Sequence, residues 1–179
     1  LNEHIEAGRI KAIGGSNWTT ERLQEANEYA AANGLVGFSF SSPNLSLAKA
    51  NEPFWKDCVS TDSDDLKWHE ATQMPLLSWS SQARGFFTGR FTPEDRSNAD
   101  LVRVFYSEAN WDRLDRAEQL GKEKGVTAIQ IALAYVLNQS FPTCALIGAQ
   151  NEAELISCLE GSKIELTQEE VEWLENGEA

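Results

Sequence analysis

Lys11-Ala-Ile-Gly-Gly-Ser-Asn-Trp18 sets the frame for the whole chain. An apolar run, Ile10 to Ile13, reads as a strand and then stops on two glycines and two small polar residues. The same event recurs at Leu35-Val-Gly-Phe-Ser-Phe40, Pro75-Leu-Leu-Ser-Trp79 and Cys144-Ala-Leu-Ile147, the last broken by Gly148. Between these runs lie segments with helical spacing. Thr19 to Asn33 carries Leu23, Ala26, Asn27 and Ala30 on one face, with Gly34 as the stop signal. Asp62 to Thr72 follows a loop marked by Pro43 and Pro53, with Thr61 or Ser63 as its expected cap. Gly85, Gly89 and Pro93 mark a long loop. Two helices come next, Asn110 to Lys124 and Thr127 to Asn138, the latter with Ile131, Ala132, Tyr135 and Val136 in phase. A further helix starts near Asn151, and a last one at Thr167, where Thr167-Gln-Glu-Glu170 forms a capping box.

Strands joined through helices cross over and run parallel. The expected fold is therefore α/β, with about four parallel strands plus extra helices. That suits either a small open sheet or half of an eight-stranded, TIM-type (β/α) barrel. In both, functional residues gather at the carboxyl ends of the strands. The ends to read are Gly14 to Trp18, Ser41 to Leu45, Ser80 to Arg90, and Gly148 to Asn151.

Bulk properties narrow the function. The 179 residues suit a single domain, 1–179, with a sizeable core. A net charge of −13 argues against nucleic acid as a partner, which calls for a basic face. No run approaches the roughly 18 apolar residues of a membrane span, and the first residues do not resemble a signal peptide. Three cysteines without paired spacing fit a reduced, cytoplasmic chain, and Cys144, within an apolar run, reads as a small core residue. The two histidines, His4 and His69, are far apart and neither falls at a strand end, so no metal site is expected. There is no P-loop, no Gly-x-Gly-x-x-Gly fingerprint and no Gly-x-Ser-x-Gly elbow.

Each strand end has a ligand-binding and a purely structural reading. Gly14 and Gly15 permit close approach to backbone, and Ser16 and Asn17 supply the donors and acceptors a carboxamide needs. Alternatively, Asn17 caps the following helix. Trp79 either stacks on a flat ring or packs in the rim of the core. Ser80, Gln82 and Arg84 have the composition of a pyrophosphate loop, although a lone arginine is also an ordinary surface residue. Backbone N–H groups from Gly148 to Asn151 open a helix and could hold an anion. Asn151 and Glu154, three apart, read as an N-cap with a returning acid.

Four pieces in order resemble the carboxyl-terminal half of an aldo-keto reductase. They are Arg9 to Trp18, Leu77 to Gly89, Gln130 to Leu137 and Leu146 to Gln150, and the resemblance spans essentially the whole chain. It implies an NAD(P)-dependent oxidoreductase that reduces carbonyls or oxidises alcohols on an eight-stranded barrel. It places Ser16 and Asn17 on the nicotinamide carboxamide, with Ser42 where the family usually has a glutamine. It puts Trp79 on the nicotinamide ring, and Ser80, Gln82 and Arg84 around the pyrophosphate. Gly148, Gln150, Asn151, Glu154 and Cys158 fall at the adenosine end. Gln150 and Glu154 stand where basic residues often grip the 2′-phosphate, and Cys158 where an asparagine often meets the adenine. The resemblance therefore implies NADP or NAD, with weakened preference for the former. The family's tyrosine acid, with its aspartate, lysine and histidine, belongs to the other half of the barrel. Tyr29, Tyr106 and Tyr135 fall on helices or a loop, so no catalytic residue is assigned here and the chain alone should be inactive. A noncatalytic, barrel-derived binding module is the alternative. Two open strand edges predict self-association or pairing with a complementary half.

Overall fold

The computed structural model describes residues 1–177. Four short strands form one parallel sheet in chain order: β1 (Gly14–Ser16), β2 (Phe40–Ser42), β3 (Leu76–Ser78) and β4 (Thr143–Ala145). Eight helices accompany them. They are α1 (Asn2–Glu6), α2 (Thr20–Ala32), α3 (Ser63–Thr72), α4 (Ala99–Phe105), α5 (Glu108–Lys124), α6 (Ala128–Leu137), α7 (Glu152–Gly161) and α8 (Gln168–Asn176). A 3-10 segment, Ala83–Thr88, follows β3.

Strand order and direction agree with the sequence reading, but three of the strand positions do not. Pairing begins four residues later than the apolar run suggests in β1 and five later in β2, and one residue earlier in β4. Gly14 pairs with Phe40 and Ser16 with Ser42. Small residues make this possible: a Cβ on Gly14 would overlap the Phe40 ring, and one on Gly15 would meet Leu23. Leu35 and Val36, expected in a strand, are exposed. The fourth strand lies on Thr143–Ala145, and Cys144 is exposed rather than in the core. Its side chain belongs to the sheet face that carries no helices, together with Ser16, Ser42 and Leu77, which share its register.

Caps define the helices. Asp62, not Thr61 or Ser63, caps α3, in a reciprocal box with Asp65. Ser107 starts α5 two residues ahead of its expected start. Thr127 and Thr167 each form a capping box.

The core lies on the β3–β4 side. Gln130 to Val136 of α6 are all buried, and Leu45, Leu47, Phe86, Phe87, Leu101, Phe105 and Leu174 pack around them. Buried Asn110 fixes the loop after β2: its amide nitrogen donates to the carbonyls of Lys49 and Phe105 at 2.8 Å each, and its oxygen accepts from Lys49 N at 2.9 Å. Lys49 Nζ in turn pairs with Glu175 of α8 at 2.8 Å, and the wholly buried Tyr135 donates to the same carboxylate at 2.6 Å. Burial raises the Tyr135 phenol well above its ordinary value, and the neighbouring Glu175 carboxylate adds to the rise.

Candidate functional site

The loop after β2 runs across the carboxyl ends of β1, β2 and β3 and stitches them together. Ser78 Oγ accepts from Leu45 N at 3.1 Å and donates to the Leu45 carbonyl. Asn44, buried, donates from Nδ2 to the Trp79 carbonyl at 2.8 Å, while its backbone N–H donates to the Val59 carbonyl at 2.8 Å. Sequence reasoning passed over Asn44, although an asparagine directly after a strand and a proline is a recognisable signal.

Asn17 stands where these strands meet. Its backbone is left-handed (φ 55°), a conformation asparagine tolerates better than most residues. Its Oδ1 accepts from Trp79 Nε1 at 3.1 Å and from Val59 N at 3.2 Å. Its Nδ2 has no hydrogen-bond partner among the described residues. Asn17 is therefore not the cap of α2. Thr19 is, with its side chain accepting from Arg22 N at 3.3 Å. Ser16 Oγ donates to the Ser42 carbonyl at 3.1 Å, and Ser42 Oγ donates to the Leu77 carbonyl at 2.8 Å. Ser16, Asn17, Ser42 and Trp79 thus form one hydrogen-bonded row across three strand ends.

The segment after β3 is unusual in its backbone. Ser80, Ala83, Arg84 and Gly85 all have positive φ, at 49°, 48°, 53° and 88°. Three of these are not glycine, so strain of order 1 kcal/mol each is held by the surrounding packing. Ser81 Oγ donates to the Leu146 carbonyl at 3.0 Å and ties this segment to the end of β4. Gln82 turns inward: its Nε2 donates to the Ile129 carbonyl at 3.3 Å, and its Oε1 faces Cys158 Sγ at 3.4 Å. Burial raises the Cys158 thiol above its ordinary value, so it is a neutral thiol that packs against Gln82. Arg84 is exposed, with its guanidinium carbon 4.1 Å from the Phe54 ring centre and 5.3 Å from that of Trp55.

The fourth strand end stands apart. Asn151 caps α7, accepting from Glu154 N at 3.0 Å. Glu154 returns its carboxylate to Gln150 N at 2.8 Å and to Asn151 Nδ2 at 3.1 Å. Gln150 Nε2 reaches only the Gly148 carbonyl, at 3.2 Å. Asn151 is the cap expected from the spacing, and the returning acid accepts from Gln150 N, one residue before the cap's own N–H. A shallow hollow lined by Ile147, Ala149, Gln150, Asn151, Glu152 and Leu155 lies beside it.

Of the three tyrosines, Tyr29 is exposed on α2, Tyr106 follows α4, and Tyr135 is sealed against Glu175. None reaches the row at Asn17. Among the described residues no group of His, Cys, Asp and Glu could hold a metal ion.

Parallel strands crossed by helices, with a polar row at their carboxyl ends, are the architecture of half a (β/α) barrel. The family model for the aldo/keto reductase family matches residues 1–177, and the chain belongs to that family. Versiconal hemiacetal acetate reductase of Aspergillus parasiticus is 26% identical over 98% of this chain and 50% of its own length. Norsolorinic acid reductase of Aspergillus flavus is 25% identical over 99% of this chain and 43% of its own. A thermostable aldo-keto reductase crystallised with the inhibitor epalrestat superposes with a TM-score of 0.67 at 20% identity, over 97% of this chain and 50% of that one. An aldo-keto reductase of the silkworm, Bombyx mori, gives 0.65 at 15% identity, over 98% and 44%. These two likenesses show the fold. The chain spans about half the length of the relatives it matches.

Proposed function

We propose that this chain is the cofactor-binding half of an NAD(P)-dependent aldo-keto reductase. The observation that carries the reading is the row at the strand ends, where Trp79 and Asn17 are bonded to each other and Asn17 Nδ2 has no partner among the described residues. That amide can donate to a carboxamide oxygen, and the exposed hydroxyl of Ser16 lies beside it. Trp79 offers a ring face for the nicotinamide. Ser80 and Arg84 take the pyrophosphate, with Gln82 contributing mainly by holding the segment in shape. Gly148, Gln150 and Asn151 lie against the adenosine, with Glu154 and Cys158 behind them.

The residues fit the nicotinamide end better than a 2′-phosphate. Glu152 and Glu154 put two carboxylates in the first turn of α7. A phosphate there meets like charge, so NADH should bind about as well as NADPH.

When bound, the cofactor supplies a hydride. The chain's own residues hold and orient it, and the proton donor comes from elsewhere, since Tyr135 is committed to Glu175. Reductase relatives support a carbonyl or hemiacetal substrate. The same reading makes residues 1–179 one structural half that pairs with a complementary half or, failing that, with itself, in a reducing cytoplasm that suits three free cysteines. A noncatalytic binding module is the second reading, favoured by the exposed apolar residues at both sheet margins: Leu35 and Val36 at one, Leu146, Ile147 and Leu159 at the other.

Titration of the full chain with NADPH and NADH, followed by tryptophan quenching and calorimetry, tests the proposal. Saturable binding with less than a tenfold difference between the two is expected, with no carbonyl reduction by the chain alone. Silence at millimolar cofactor in both measurements overturns it.

A further inference from the structure

We propose that Phe54 and Trp55 are positioning residues that present Arg84 to the cofactor's pyrophosphate, and that Arg103 of α4 holds them in place. The inference rests on the cofactor reading above but adds three residues to which neither the sequence nor the family resemblance gave a role.

Arg84 sits in the left-handed stretch after β3 with its guanidinium over two aromatic rings. Among the described residues it forms no ion pair and no side-chain hydrogen bond. The guanidinium lies over the Phe54 ring, and none of its N–H donors is hydrogen-bonded to a described residue. Those donors are the ones a pyrophosphate accepts in bidentate fashion. Stacking thus confines a long side chain before the anion arrives, without occupying the groups that bind it.

The clamp is itself anchored. Phe54 is buried and lies 4.8 Å from Trp55 and 6.4 Å from Phe105, centre to centre. Arg103 donates from Nη1 to the Pro53 carbonyl and from Nη2 to the Phe54 carbonyl, both at 3.0 Å, and it pairs with Glu52 and Asp100. Two backbone carbonyls are held at once, so the loop that carries both rings cannot drift from α4. Trp55 is 55% exposed and lies 6.1 Å from Trp79, so one ring touches both the pyrophosphate arginine and the nicotinamide tryptophan. An exposed tryptophan in contact with two site residues is placed to face the groove between them.

A double-mutant cycle on the full chain separates positioning from packing. Calorimetry with NADPH compares wild type, Trp55→Ala, Trp55→Phe, Arg84→Ala and the Trp55→Ala/Arg84→Ala pair. A cation–π contact at a partly exposed site corresponds to roughly a two- to fivefold loss of affinity for Trp55→Ala. Trp55→Phe should recover most of it. In the Arg84→Ala background the Trp55→Ala loss should shrink to less than half, because the ring acts chiefly through the arginine. Arg103→Gln should reproduce the Trp55→Ala loss, with inorganic pyrophosphate competing less well in both. Thermal melts confirm that each variant is folded. An equal Trp55→Ala loss in both backgrounds, or no loss, overturns the positioning role. Tighter binding by Trp55→Ala also overturns it and makes the ring a cover over the groove. Failure of wild type to bind NADPH removes the cofactor reading and this inference with it, whereas wild-type binding with an unaffected Trp55→Ala removes this inference alone.

Discussion

The two flanks of the sheet differ in how much they bury. On the β3–β4 side, α6 hides seven consecutive side chains and packs against α5, α7 and the 3-10 segment. On the β1 side, α2 is longer yet buries only Leu23 and Ala30. One flank holds the fold together. The other carries Ser16 and Asn17, the groups best placed to meet a ligand. The β1 flank therefore has fewer buried contacts to resist local movement than the β3–β4 flank.

The comparison breaks first in the core. Phe86→Ala should cost about 3–5 kcal/mol in urea unfolding, since Phe86 is fully buried. Tyr29→Ala on α2 should stay within about 0.5 kcal/mol, because Tyr29 is 65% exposed. A similar cost at both positions would erase the distinction between the flanks.

Next comes the contact that pins α8. Glu175→Gln leaves Lys49 and Tyr135 without their shared carboxylate. With the Lys49 and Glu175 side chains 26% and 19% exposed, the loss should be about 2 kcal/mol, below that of a fully buried pair. Burial acts to raise the Glu175 carboxyl but is outweighed by Lys49 and Tyr135, which leave it below its ordinary value of 4.5. Its stabilisation is therefore complete above that pH and fades as pH falls below it. An acid titration of the melting temperature in wild type and Glu175→Gln checks this: the variant's curve should be flatter in that range.

Asn17→Ala removes the acceptor shared by Trp79 and Val59 and places alanine at a positive φ. The expected cost is about 1–2 kcal/mol, with a change in tryptophan emission as the Trp79 indole loses its partner. An unchanged spectrum would mean that the bond does not persist in solution.

The smallest effect belongs to His69. It is buried, stacked on Phe141 at 5.2 Å, and bonded through Nδ1 to the Met74 carbonyl at 2.8 Å. Burial lowers its imidazole below the ordinary 6.5, the carbonyl contact opposing only in part. The unfolded chain then takes up a proton that the folded chain resists, so stability declines as pH falls below 6.5. His69→Phe should flatten that limb. A slope retained in the variant would assign it to other groups.

Element order and parallel pairing were legible because apolar runs alternate with helical spacing. Their boundaries were not, because a parallel ladder depends on what the neighbouring strand presents. Gly14, Gly15 and Ser16 are small enough to let Phe40 and Leu23 close over them, so pairing continues past the apolar run. Helix α4 escaped notice because its seven residues sit in a stretch punctuated by glycine and proline and are buried only by tertiary contacts. Proposed site residues could be picked out as strand ends. The engagement of Glu154 in the Asn151 cap was legible from the spacing, but that of Gln82 with Cys158 was not, because it is made across the fold. Phe54 and Trp55 lie in a loop without periodicity, and nothing in the sequence marked them.

The exposed thiol of Cys144 turns the proposed pairing into a labelling experiment. It lies on the outermost strand and on the helix-free face, whereas Cys158 is buried and Cys58 half-buried. An alkylating reagent should modify Cys144 first in the isolated chain. Any body that completes the sheet beyond β4 or fills its helix-free face will shield that sulfur, so the reaction rate becomes a gauge of assembly that needs neither cofactor nor substrate.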